Sequence, residues 1–219
     1  MLPSGRSGVR RRHAGPQGEP PMKLYYSPTS PYVRIVRVAA LEKGVDGRIE
    51  LIDARAEGND TEDKNPLNKV PTLITDDGET LIESRLICRY LDSLGAGPEL
   101  YPREASARRP VLQFEALIHG VLDATVLRRM ETRREDGTQS AWWDQRQKRK
   151  IALGLDRLEA DIEAVTGAPT IAPIALGCAL SFLDRVLADT DWRADHPRLK
   201  AWYETYKDTP SMAATAPGD

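Results

Sequence analysis

A change of rhythm near residue 95 limits what this chain can fold into. Ahead of it, short β-like runs alternate with helical patterns. Behind it, every patterned stretch has helical spacing. The break itself, Gly95 to Arg103, holds two glycines and two prolines and reads as a linker. The ordered pieces before it are a strand at Lys23–Tyr26, a helix from about Tyr32 to Lys43, a strand at Arg48–Ile52, and a polar stretch Glu57–Asn65 with a short irregular helix. A strand opening at Val70–Ile74, the turn Asp76-Asp77-Gly78, a strand at Thr80–Ile82, and a helix from Ser84 to about Leu94 complete the set. That order, β-α-β-α-β-β-α, predicts an open sheet with helices on its faces.

The helix starts and stops have local causes. Pro31 suits a first helical position, where its missing N–H has no intrahelical partner. Ile35, Val38, Ala39 and Glu42 share a face, and Gly44 is a good stop. Beyond residue 103 the patterns predict a long helix Glu104–Arg134, a helix Trp143–Val165 with apolar residues spaced 4, 3, 4, 3, a buried helix Thr170–Ala188, and a last helix Pro197–Lys207. The domain reading is therefore 1–21 as a disordered extension, 22–96, a linker at 97–103, and an all-helical 104–219.

The first 21 residues are rich in Gly, Pro and Arg and carry no apolar stretch of the kind a secretory signal needs. Met22, directly before the first strand, is a second candidate start. Net charge is −2, with 31 basic and 33 acidic side chains, so nucleic acid has no electrostatic case as a partner. No unbroken apolar run approaches the ~20 residues of a membrane span. Cys88 and Cys178 stand far apart, and His13, His119 and His196 are scattered, which gives no support to a disulfide framework or a metal site. Both cysteines fall on apolar helix faces and are expected to pack as core. G-x-S-x-G, the P-loop and G-x-G-x-x-G are all missing from the sequence.

Three junctions could carry chemistry, and each has an ordinary alternative. Ser27-Pro28-Thr29-Ser30-Pro31-Tyr32 places hydroxyls ahead of a helix, either to cap it or to donate to an anion at its positive end. Val70-Pro71 opens a strand, where a cis bond would leave the Val70 backbone for an extended ligand; only ~5% of X-Pro bonds are cis. Glu83-Ser84 sits at a strand-to-helix turn, as a plain cap or as a grip on a carboxylate and an ammonium. Arg128, Arg129, Arg133 and Arg134 read as a solvated helix face, and Trp142-Trp143 as packing.

Taken in order, these segments resemble one family. Met22 to Arg34, Asn65-Pro-Leu-Asn-Lys-Val-Pro-Thr-Leu73 and Leu81-Ile-Glu-Ser-Arg-Leu-Ile-Cys-Arg-Tyr-Leu91 look like the N-terminal domain of the cytosolic glutathione S-transferases, in a bacterial, serine-type, theta/omega-like form. Ala168 to Leu180, His196 to Tyr203 and Thr209 to Met212 resemble the family's helical half. The resemblance runs from about Met22 to Pro217.

It implies a thioredoxin-like N-terminal domain with a cis Pro71, followed by an all-α domain. Glutathione would be the co-substrate, with no metal. Val70 would pair with its cysteinyl backbone, Glu83 and Ser84 would hold its γ-glutamyl end, Lys69 would reach its glycine carboxylate, and Tyr32 would stand among the binding residues. Ser30, with Thr29 as competitor, would donate to the sulfur and favour the thiolate, which attacks a small hydrophobic electrophile. A cytoplasmic homodimer with a detoxifying role is implied, free of membrane and nucleic acid. Serine in place of cysteine argues against thiol-transferase chemistry, which needs a protein thiol. A non-catalytic glutathione-binding or regulatory member of the same fold is the alternative. Thr170 is followed three residues later by Pro173 instead of the family's Asp, so the reciprocal capping bond is lost while Thr170 itself can still cap.

Overall fold

The computed structural model describes residues 21–187, 189 and 191–217. The expected disorder of the N-terminal extension falls on residues 1–20, outside the described residues.

Alternating apolar residues build a four-stranded sheet. Its strands are β1 (Met22–Tyr26), β2 (Ile49–Asp53), β3 (Thr72–Ile74) and β4 (Thr80–Ile82), in the order β2-β1-β3-β4. β1 runs parallel to β2, with Leu24 opposite Leu51, and antiparallel to β3, with Leu24 opposite Leu73. Thr75 and Glu79 close the β3–β4 hairpin, and Gly78, at φ 90, supplies the turn conformation that side chains resist. Helix α1 (Pro31–Glu42) makes the crossover from β1 to β2. α2 (Thr61–Lys64) is the short helix of the polar stretch, and α3 (Ser84–Leu94) follows β4.

Helix α1 is buried on more than the one face its spacing predicts. Val33, Ile35, Val36, Val38, Ala39 and Ala40 are all buried, because α1 packs on α3 and also on a helix of the second half. That partner is α7 (Ile171–Val186), buried along nearly its whole length, as expected for a central helix. Around it stand α4 (Ala105–Glu131), α5 (Ala141–Ala160), α6 (Ile162–Thr166), α8 (Trp192–Asp195), α9 (Pro197–Tyr206) and α10 (Pro210–Ala214).

Several expectations change. The helix expected over Trp143–Val165 is two, broken at Asp161 (φ −105, ψ 17), which caps the end of one and the start of the other. Ile162 and Val165 are still buried, so the apolar spacing reports a shared face and not an unbroken helix. Ser84 does not cap α3; Glu83 does, accepting from the Arg85 N–H at 3.2 Å. The Thr170 hydroxyl makes no capping bond, and the Ile171 N–H donates instead to Leu100 O at 3.0 Å. Leu51 shares a face with Ile49 but lies 41% exposed on the sheet's edge strand. Arg128 is not solvated: it is buried and bonded to Asp144 and Asp189. Trp142 is not packed, being 67% exposed with the Arg146 guanidinium 5.5 Å from its ring centroid. α4 is long and apolar enough by length and composition to cross a membrane, with a mean hydropathy of 1.2 over an 18-residue stretch, which a search for unbroken apolar runs passes over. Its apolar stripe packs on α5 and α7.

Segment 95–103 is no slack tether. A Cβ on Gly97 would fall 2.0 Å from Glu42 O, and one on Gly95 2.4 Å from Lys43 O, so both glycines are required by close approach to the end of α1. Lys43 Nζ donates to Pro98 O at 2.8 Å and pairs with Asp92 at 3.0 Å. The Asp92 carboxylate in turn accepts from the Leu100 and Tyr101 N–H groups.

Candidate functional site

Ser30 holds the start of α1. It has φ −80 and ψ 121, and its Oγ accepts from the Val33 N–H at 3.3 Å, so capping is real. Accepting one bond leaves the hydroxyl proton available as a donor, so capping and donation to a ligand are compatible in one side chain. The helix start also carries partial positive charge from its unpaired N–H groups. Thr29 is placed differently. It is exposed, its hydroxyl lies 3.2 Å from Ser27 Oγ, and its C=O accepts from Arg185 at 2.6 Å.

The Val70–Pro71 peptide bond is cis. The β3 ladder on β1 begins at Thr72, so the Val70 main chain stands outside it. The loop that brings Val70 to the sheet is held by Asn65, which is buried. Its Nδ2 donates to Lys69 O and Thr72 Oγ1, both at 2.9 Å, and its Oδ1 accepts from the Leu67 N–H at 3.0 Å. Lys69 is exposed.

Glu83 has φ 77, ψ 126, a conformation costly for any residue with a Cβ, on the order of 1–3 kcal/mol. It turns the chain sharply from β4 into α3. Ser84, 2% exposed, donates its hydroxyl to Glu83 Oε1 at 3.3 Å, and Arg85 Nε pairs with the same carboxylate at 3.1 Å.

Tyr32 connects the two halves of the molecule. Its hydroxyl donates to Asp123 on α4, and its ring lies 5.8 Å from that of His119. Burial, then the Asp123 carboxylate, pushes the Tyr32 phenol far up, so it stays a donor. Burial, with Arg85 nearby, lowers the His119 pKa and favours a neutral ring whose Nε2 has no hydrogen-bond partner among the described residues. Arg34, also buried, ties α1 to α7 and α10 through Ser181 Oγ at 2.5 Å and Met212 O at 3.0 Å. Both cysteines are buried, and burial raises both thiols well out of the reactive range.

Asp123, His119 and Arg185 do not stand out as site residues in the sequence, because their roles depend on contacts 87 residues apart or more (|i−j| is 91 for Asp123 and 156 for Arg185). Asn65 does carry a signal, an Asn-Pro turn inside the motif Asn65 to Leu73. A larger groove of about 340 Å³, lined by Glu42, Trp202 and Tyr206, lies at the opposite end of α1 from Ser30 and contains none of the expected residues.

Residues 24–99 match the family model of the glutathione S-transferase N-terminal domain, and residues 140–205 that of its C-terminal domain. The chain is 34% identical over 200 residues to the uncharacterized GST-like protein YibF of Escherichia coli (strain K12), covering 90% of this chain and 98% of that protein. A glutathione transferase family member from Pseudomonas fluorescens Pf-5, solved with bound glutathione, superposes with a TM-score of 0.86 at 39% identity over 90% of this chain and all (100%) of that one. The same bacterium's family member, solved with S-(propanoic acid)-glutathione, gives a TM-score of 0.83 with the same identity and coverage. Matched in both halves and over nearly the full length of a relative, this chain is a member of the glutathione S-transferase family.

Proposed function

We propose that this protein binds glutathione, holds its sulfur as the thiolate at the start of α1, and transfers it to a small hydrophobic electrophile. Ser30 carries the reading: its Oγ is fixed by the Val33 N–H while its own proton remains free to reach a sulfur at the positive end of the helix. Thr29, exposed and turned to Ser27, is the weaker candidate. The tripeptide's main chain would lie against Val70, outside the sheet ladder, beside Pro71. Ser84 and Glu83 would take the γ-glutamyl end, with Glu83 giving up part of its contact with Arg85. Lys69 would meet the glycine carboxylate. Tyr32, tied to Asp123, would stand among the glutathione-binding residues at the rim of the site.

The chemistry is electrostatic. A free thiol titrates near ~8.5, so little of it is thiolate at neutral pH. A hydroxyl donor and a helix start both favour the anion. Lowering the thiol pKa from ~8.5 to ~7.5 takes about 1.4 kcal/mol of preference for the anion and raises the thiolate fraction severalfold. Solved relatives bound to glutathione, and one bound to a glutathione thioether, support the same ligand here.

The reading extends to a cytoplasmic, two-fold homodimer acting in detoxification. Two buried free cysteines suit a reducing compartment, and the exposed Leu67 and Leu86, beside β3 and on α3, offer apolar surface to a second copy. The test is retention on immobilised glutathione, a thermal shift with millimolar glutathione, and turnover of an activated aryl halide. At ten times Kd the ligand should add about 1.4 kcal/mol of stability. Retention without turnover would favour the non-catalytic alternative, and failure of all three would remove glutathione from the account.

A further inference from the structure

The groove of about 340 Å³ at the far end of α1 is walled by both halves of the chain. Glu42, the last residue of α1, and Leu100, in segment 95–103, come from one side. Thr170, Pro173, Trp202 and Tyr206, at the start of α7 and on α9, come from the other. The volume lies at the low end of the ~300–1,000 Å³ common for small-molecule sites. Two stacked aromatic rings give it a firm wall: the Trp202 and Tyr206 centroids are 4.5 Å apart and their planes 21° apart. Gly177 on α7 lets Tyr206 settle there, because a Cβ on it would fall 2.7 Å from Tyr206 Cδ1 and Cε1.

The polar lining is rich in acceptors. The Thr166 hydroxyl gives its proton to Ile162 O at 2.7 Å, and the Thr209 hydroxyl to Tyr206 O at 2.8 Å, so both oxygens line the groove with only lone pairs to offer. Thr170 is 6% exposed, and its hydroxyl makes no hydrogen bond among the described residues. Glu42 is the one charged residue that lines the groove among the described residues, and it joins no salt bridge there. Its Oε1 accepts from Ser211 Oγ at 2.5 Å, which leaves Oε2. The neighbouring cation, Lys43, is turned away to Asp92 and Pro98 O. An uncompensated carboxylate and spent hydroxyls beside aromatic rings suit a ligand that is cationic, donates N–H and carries apolar surface.

We propose that this groove is a second ligand site, separate from the Ser30 end of α1, and that it takes a primary ammonium carried on an aromatic body. The ammonium N–H groups would meet Glu42 Oε2 and the Thr170 and Thr209 oxygens. The ring would lie along Trp202, over Pro173 and Leu100. A quaternary ammonium has no N–H for the threonines, an alcohol brings no charge to Glu42, and a carboxylate opposes it. Binding is non-covalent and consumes nothing. The ligand would touch the end of α1, α7 and α9 at once and so hold the two halves together. The proposal rests on no part of the glutathione reading.

Isothermal titration calorimetry of the full chain with 2-phenylethylamine, 2-phenylethanol and 3-phenylpropionate keeps the body nearly constant and changes the head. The amine is expected to bind with a Kd on the order of 0.1–1 mM, about tenfold or more tighter than the alcohol, and the acid is expected to give no binding. It should also raise the Tm of the parent chain. Glu42→Gln keeps an oxygen for Ser211 and should weaken the amine about tenfold while leaving the alcohol unchanged. Thr170→Val, of the same shape, should weaken the amine about threefold. If Glu42→Gln does not fold, the parent chain's amine-to-alcohol ratio and Thr170→Val decide the matter. Amine binding should survive millimolar glutathione. Equal affinity for amine and alcohol overturns the proposal, as does binding of none of the three compounds. So does a folded Glu42→Gln chain that binds the amine as the parent does. Displacement of the amine by glutathione overturns it too, by placing the ammonium at the other end of α1.

Discussion

The two halves of this molecule use the chain in opposite ways. In the first half the expected ligand contacts come largely from main-chain geometry: a helix start at Ser30, a segment at Val70 outside the ladder, and a costly φ of 77 at Glu83. The second half meets that site with side chains on helices whose backbone is regular: Asp123 and His119 contact Tyr32, and Arg185 donates to Thr29 O. Main-chain geometry is written in short local strings of Pro, Ser and Asn. Side-chain geometry across a cleft is written nowhere locally. A fixed tripeptide can be met by the first device, and a variable electrophile calls for the second.

Substitutions should separate along that line. The largest effect is expected at Arg34, which joins the halves and would leave Met212 O, Ser181 and Thr215 without their donor. Arg34→Ala should cost about 3 kcal/mol, lowering Tm by about 6–12 °C in a calorimetric scan. If it melts the helical half apart from the sheet, the halves are less coupled than the packing of α1 on α7 implies.

Asn65→Ala comes next. It strips two carbonyl or hydroxyl partners and one N–H partner from the buried anchor of an exposed loop, at about 2 kcal/mol. Because that loop carries Val70, the KM for glutathione should rise by a similar factor with every electrophile tried. A rise that depended on the electrophile would break the division of labour.

What is legible in the sequence follows the same division. The order of strands and helices, the cis Val70–Pro71 bond and the burial of α7 are all readable, because each rests on local pattern or on a contiguous motif. The break at Asp161 is not, since Ile162 and Val165 keep the apolar spacing across it. Arg128 looks solvated in the sequence because its partners, Asp144 and Asp189, lie 16 and 61 residues away. Trp142 misleads in the other direction: an aromatic residue on a helix is usually core, and here it lies against Arg146 in solvent. The cap of α3 goes to Glu83 instead of Ser84 because a positive φ at a glutamate has no sequence signature.

Two smaller effects sharpen the second half. Burial lowers the His119 pKa, so the folded protein resists protonating it while the unfolded chain does so near pH ~6.5. The stability this gives is present above about 6.5 and is lost as pH falls toward the lower folded value. His119→Asn should therefore flatten the decline in denaturant midpoint below pH ~6.5 relative to the parent chain. An equal slope would show that the ring is open to water. Tyr32→Phe removes one bond at the rim and should cost no more than about 1 kcal/mol, while changing the relative kcat/KM among electrophiles. A uniform change would move Tyr32 to the glutathione side of the comparison.

The central claim concerns one proton. Ultraviolet difference titration of bound glutathione, following thiolate absorbance from about pH 5 to about pH 10, measures it directly. The account predicts a bound thiol with its midpoint at pH ~7.5 or lower, against ~8.5 when free, and an upward return of that midpoint in Ser30→Ala but not in Thr29→Ala. A bound thiol that titrates like free glutathione, or a Ser30→Ala variant with an unmoved midpoint, would contradict it.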